Sequence, residues 1–145
     1  MGASGSGPPY RSESVFQTRT EWHDALVRSP REVSESYWAA ECRRDIDGVM
    51  AHYHPDATYE DSGGLHRGLA DIRRAYEESA RAYPGLEVTI VREYVATSDH
   101  SGLEFDAVLI DPAGTRFRVR GVNVVVVRDG KFVSVRSYED PPTPE

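Results

Sequence analysis

Three side chains of different chemistry stand out in the sequence: Tyr37, Asp61 and Asn123. A carboxylate enclosed by apolar walls has its charged form disfavoured and becomes a better proton acceptor. A phenol and an amide can each donate a hydrogen bond to a developing oxyanion. Together the three could take a proton from a carbon beside a carbonyl and hold the resulting enolate. Each also has a plainer reading. Asp61 precedes Ser62-Gly63-Gly64 and can simply form a turn. Tyr37 can be a core aromatic, and Asn123 a buried amide satisfied by backbone.

Little else in the chain competes for a chemical role. His52 and His54 stand two apart and point to different sides of a helix, so no metal site is expected. There is no glycine-rich phosphate loop, no Gly-x-Ser-x-Gly and no Cys-x-x-Cys, and no cofactor is expected. Cys42 is the single cysteine and reads as a buried thiol. A net charge of −7 offers no electrostatic footprint for nucleic acid or an anionic membrane. No run approaches the roughly 18 apolar residues of a bilayer span. The start lacks the basic and apolar stretches of a signal peptide, so a cytoplasmic protein is expected.

The elements that must position these residues follow from period. Trp38, Cys42, Ile46, Val49 and Tyr53 recur at helical spacing and predict one helix over 34–54, capped by Ser34 or Ser36 and ended by Pro55. Glu41, Arg43, Arg44, Asp45 and Asp47 mostly take its other faces. Residues 57–60 can extend as a strand before the turn at 61–64. A second helix over 69–83 presents Ile72, Tyr76, Ser79 or Ala80, and Tyr83 inward. Four antiparallel strands then follow over 86–97, 103–110, 115–128 and 131–139. In the third, Phe117, Val119, Gly121, Asn123, Val125 and Val127 share the inner face, because Arg116, Arg118 and Arg120 need water. In the second, period sets Leu103, Phe105, Ala107 and Leu109 against Glu104, Asp106, Val108 and Ile110, with the acids toward solvent. The reading is a single domain over 33–140, preceded by a disordered tail over 1–14 and a helical arm over 15–32, and followed by a tail over 141–145. Its class is α+β: a cone-shaped barrel in which helices pack into a curved, mainly antiparallel sheet and leave a pocket.

The segments Tyr37-Trp38-Ala39-Ala40, Asp45 to Asp61, His66 to Tyr76 and Gly130 to Arg136 carry a resemblance. Over about residues 33–140 the chain resembles the nuclear-transport-factor-2-like superfamily, which includes ketosteroid isomerase and the SnoaL-like polyketide cyclases. That resemblance implies Asp61 as general base, with Tyr37 and Asn123 as oxyanion donors. Two departures stand out. Asn123 takes the place of a protonated Asp, a stronger donor, and Ser62 follows the base where the family has Pro. The resemblance also turns Asp106, Val108 and Ile110 inward, against the periodicity, and makes Asp106 a helper acid. Leu103, Phe105 and Leu109 would then join Val122, Val124 and Val126 in an outer apolar patch suited to a homodimer. Trp38, Tyr59, Tyr76, Val108, Val119 and Val135 are the expected pocket wall. Limonene epoxide hydrolase has an acid near the place of Asp106, but its partner Arg falls on Glu104 and its second Asp on Ser137. The histidine pair of scytalone dehydratase has no evident match. The implied function is cofactor-independent proton transfer on a small hydrophobic carbonyl compound, by an isomerase, an aldol-type cyclase or a dehydratase. The alternatives are a non-catalytic ligand-binding or protein-interaction module and, further off, an epoxide hydrolase-like enzyme.

Overall fold

The computed structural model of the protein describes residues 28–145. The expected tail over 1–14 and residues 15–27 of the expected helical arm over 15–32 lie outside them; residues 30–32 of that arm instead begin the first helix of the domain. Helix α1, Pro30–Cys42, opens on a capping box: Ser29 Oγ accepts the Glu32 N–H at 3.1 Å, and the Glu32 carboxylate accepts the Ser29 N–H at 2.8 Å. Pro30 is the first helical residue, where its missing N–H costs nothing. The cap is therefore Ser29. Ser34 is buried inside the helix, and Ser36 bonds to the His52 ring at 2.7 Å.

The single helix expected over 34–54 is two helices. After Cys42 the backbone turns through Arg44, whose φ is +54°, and restarts as α2, Ile46–Met50, with Asp45 accepting the Gly48 N–H. A non-glycine residue in the left-handed region needs support. Here the Arg44 guanidinium donates to the Tyr83 carbonyl at 2.6 Å and lies 3.8 Å from the Glu41 carboxylate. Pro55 does not end a helix. It sits inside strand β1, Tyr53–Asp61, where the pairing with β6, Lys131–Glu139, shifts register between Tyr53 and Thr58. An irregular stretch of ladder is where a strand tolerates proline.

Strand β2, Gly64–Arg67, returns antiparallel on β1, so the turn expected at 61–64 closes a hairpin. Helix α3, Gly68–Ala82, follows, then β3, Gly85–Tyr94, β4, His100–Ile110, and β5, Arg116–Arg128. The order across the sheet is β2-β1-β6-β5-β4-β3, antiparallel throughout except for β1 beside β6. The sheet is curved and unclosed, and the fold is α+β as expected. The C-terminal residues are more than a tail: β7, Thr143–Pro144, pairs with the start of β5.

Register decides the disputed face of β4. Leu103, Phe105 and Ala107 lie opposite Asn123, Gly121 and Val119, and all three are buried on the concave side. Periodicity had this right, and the inward turn implied by the resemblance is corrected. Asp106 stands on the outer face, 3.4 Å from Arg118. Val108 and Ile110 alternate with it on that face. The outer patch consequently loses Leu103, Phe105 and Leu109, keeps the half-buried Val122, Val124 and Val126, and shares its face with Val108 and Ile110.

Candidate active site

Between α1, α3 and the concave face lies a cavity of about 520 Å³. Tyr37 enters it from α1. Its hydroxyl lies 2.5 Å from that of Tyr76 on α3, which lies 2.7 Å from that of Tyr53 on β1. Each hydroxyl has one proton to give. If Tyr53 donates to Tyr76 and Tyr76 to Tyr37, the Tyr37 proton is left for the cavity, and each bond polarises the next. The Tyr59 ring stacks on Tyr76 at 5.0 Å between centroids and lines the same space. Burial raises all four phenols above their ordinary range, so they are neutral donors at physiological pH.

Asp61 ends β1 and also lines the cavity, with its side chain 24% exposed. Its Oδ1 accepts the Gly63 N–H at 2.9 Å and lies 3.3 Å from His66 Nε2. His66 sits opposite Tyr59 in the β1–β2 hairpin and stacks on that ring. Asn123, from the middle of β5, is 5% exposed, and its amide oxygen has no hydrogen-bond partner among the described residues. The cavity thus brings Tyr37, Asp61 and Asn123 together with Trp38, Tyr59, Tyr76 and Val119. It does not include the other expected residues. Asp106 and Val108 face outward, and Val135 is fully buried between Tyr59 and Val125 on the neighbouring strands.

The sequence reading missed Glu41. It sits one turn after Tyr37 on α1, lines the cavity, and has a side chain only 14% exposed. Burial pushes its carboxyl up to about 7, against the pull of the Arg44 charge and the Tyr37 hydroxyl, and Glu139 adds a further small rise. Glu41 was grouped with the solvent-facing charges of its helix. The signal was its spacing: a residue four after Tyr37 shares its face, so a Tyr37 that points inward carries Glu41 with it. Glu139, exposed at the rim on β6, is also raised, by partial burial first and then by Asp61. Asp140, Pro141 and Pro142 complete that rim. The chemistry available is a neutral phenol donor, a hydrogen-bonded carboxylate, an amide, and a second carboxyl that changes charge near neutrality.

Comparison with solved structures finds this fold in proteins of about 20–24% identity. A Mycobacterium sp. Δ5-3-ketosteroid isomerase aligns at 24% identity and a TM-score of 0.68, over 77% of this chain and 93% of its own. A Mycobacterium tuberculosis protein in complex with estradiol-17β-hemisuccinate aligns at 22% identity and 0.68, over 77% and 94%. A Sinorhizobium meliloti polyketide-cyclase candidate aligns at 20% identity and 0.63, over 73% and 93%. A sequence comparison with curated proteins finds no match. The profile of the SnoaL-like domain matches residues 34–135, most of the chain and every element from within α1 to the middle of β6, and the protein belongs to the SnoaL-like family.

Proposed function

We propose that the protein is a cofactor-independent proton-transfer enzyme acting in the cytoplasm on a small hydrophobic carbonyl compound. Its reaction is an isomerisation, an aldol-type cyclisation or a dehydration that passes through an enolate. Asp61 takes the proton, while Tyr37 and the Asn123 amide hold the oxyanion. The observation that carries this reading is the three-tyrosine chain, which ends at Tyr37 beside the space that Asp61 and Asn123 also line; with Tyr53 as its first donor, the Tyr37 proton is free for an oxyanion there. Neighbours of the same fold that are an isomerase or are bound to a steroid derivative are consistent with it. A homodimer remains part of the proposal, and gel filtration with light scattering tests it.

One observation favours a second reading, a non-catalytic binder with the same cavity. Asp61 also does the ordinary work of a turn former, its Oδ1 accepting the Gly63 N–H two residues on. Binding of 2-naphthol, an enolate mimic, to wild type and to Asp61→Asn separates the two. Under the enzymatic reading the variant, which lacks a repelling charge, binds naphtholate about tenfold more tightly, and Tyr37→Phe weakens binding by a similar factor. Equal affinity in all three proteins would favour the binder.

A further inference from the structure

The charge of the cavity wall is one-sided. Glu41, Asp61, Glu139 and Asp140 line it, and among the described residues no Lys, Arg or His does. One cation approaches from behind. Arg44 lies 3.8 Å from Glu41, beyond hydrogen-bond distance, and gives its good hydrogen bond to the Tyr83 carbonyl instead. His66 stands against Asp61. Tyr37, Trp38, Tyr59, Tyr76, Tyr83 and Phe105 bring six aromatic rings to the same wall, among small and aliphatic side chains. Rings present negative π-faces, so they add to the attraction a cation would feel. Asn123 supplies an independent sign. It is nine-tenths buried on the same wall, and its amide oxygen is an acceptor with no donor among the described residues. An unmet acceptor calls for an N–H or O–H in the ligand.

We propose that the cavity takes an organic ammonium ion: an apolar amine whose hydrocarbon body fills the aromatic space and whose charged nitrogen is held by the Glu41 carboxylate. This rests on reading the cavity as a small-molecule site and not on the proton-transfer step. Glu41 is the partner because it is the most enclosed of the four acids: its side chain is 14% exposed against 24% for Asp61, and Glu139 and Asp140 are exposed. Burial lets Glu41 hold its proton until about pH 7. The groups facing it are Tyr37 and Arg44 from its own helix and the turn after it, Tyr53 and Tyr59 from β1, Tyr76 from α3 and Glu139 from β6. An ammonium favours the ionised carboxyl, so amine binding releases a proton and affinity rises as pH increases through about 7. His66 stands at Asp61 and not at Glu41.

Calorimetric titration of the wild-type protein with 2-naphthylmethylamine and with its neutral isostere 2-naphthylmethanol tests this. At pH 8 the amine is expected to bind at least about tenfold more tightly than the alcohol, and the preference should shrink at pH 6. Glu41→Gln should abolish both the preference and its pH dependence. An alcohol that binds as tightly as the amine to wild type at pH 8 overturns the proposal without touching the naphthol result, and needs no variant to be folded. A Glu41→Gln protein that keeps the preference overturns the assignment to Glu41. If neither compound binds while 2-naphthol does, the amine proposal fails alone; if none of the three binds, the small-molecule reading of the cavity fails with it.

Discussion

At the scale of single residues, Glu41 has a measurable consequence with no ligand present. Its carboxyl holds its proton to about pH 7 in the folded protein against an ordinary value of 4.5. The folded state therefore binds a proton that the unfolded state has already lost between those values. Stability contributed by the protonated form is complete below about 4.5 and is lost as pH rises through about 7. The side chain is mostly buried, so the full shift converts to at most about 3 kcal/mol. Glu41→Gln cannot ionise and should gain on wild type by that order between pH 5 and pH 8. Urea unfolding of both proteins at the two pH values checks it, and parallel pH profiles would mean that Glu41 is already solvated. Tyr37, Asp61 and Asn123 stand out in the sequence because their types are unusual for their positions, and the fold brings all three to one cavity. The sequence hid Glu41 because one more charge on a helix already carrying Arg43, Arg44, Asp45 and Asp47 looks like a solvated face.

At the scale of elements, what was legible was whatever period alone decides. The β4 alternation set Asp106 outside, and the β5 alternation set Val119, Asn123 and Val125 inside, as register confirms. The two-helix break at Arg43–Asp45 was illegible, because a left-handed Arg44 is held by the Tyr83 carbonyl 39 residues away. The Ser29–Glu32 capping box was legible in principle, as a Ser-Pro-x-Glu start, but Ser34 and Ser36 drew the assignment inward. Gly121 shows how tightly these strands are fitted. A Cβ there would meet the Tyr138 carbonyl at 2.6 Å and the Phe105 ring at 2.8 Å. The ring can shift, but the backbone oxygen belongs to the β5–β6 ladder and cannot move far. Gly121→Ala should cost about 1–3 kcal/mol and push Phe105 into the cavity, so that naphthol binding weakens together with the melting temperature. A variant with wild-type stability would show that β6 gives way at its end.

At the scale of the whole molecule, the C-terminal residues tie the cavity to the start of β5. Pro141 and Pro142 form part of the rim, β7 pairs with Phe117 and Arg118, and the Glu145 N–H reaches the Arg116 carbonyl at 3.0 Å. Arg116 in turn bonds the Glu145 and Glu87 carboxylates, so this segment is latched to both β5 and β3. Its residues are exposed, and exposed ion pairs contribute little to stability. Their larger effect is on enclosure, since a ligand gains affinity from the share of its surface that the pocket covers. A chain ending at Asp140 should therefore unfold within a few degrees of the full chain, yet bind naphthol about three- to tenfold more weakly. The loss should appear as faster dissociation, because the removed residues guard the exit and not the polar contacts deeper in. Stopped-flow fluorescence, with Trp38 in the cavity wall as reporter, measures that rate directly. An unchanged dissociation rate would show that ligands leave by another opening, and would move the search for the entrance to the β1–β2 hairpin beside Asp61 and His66.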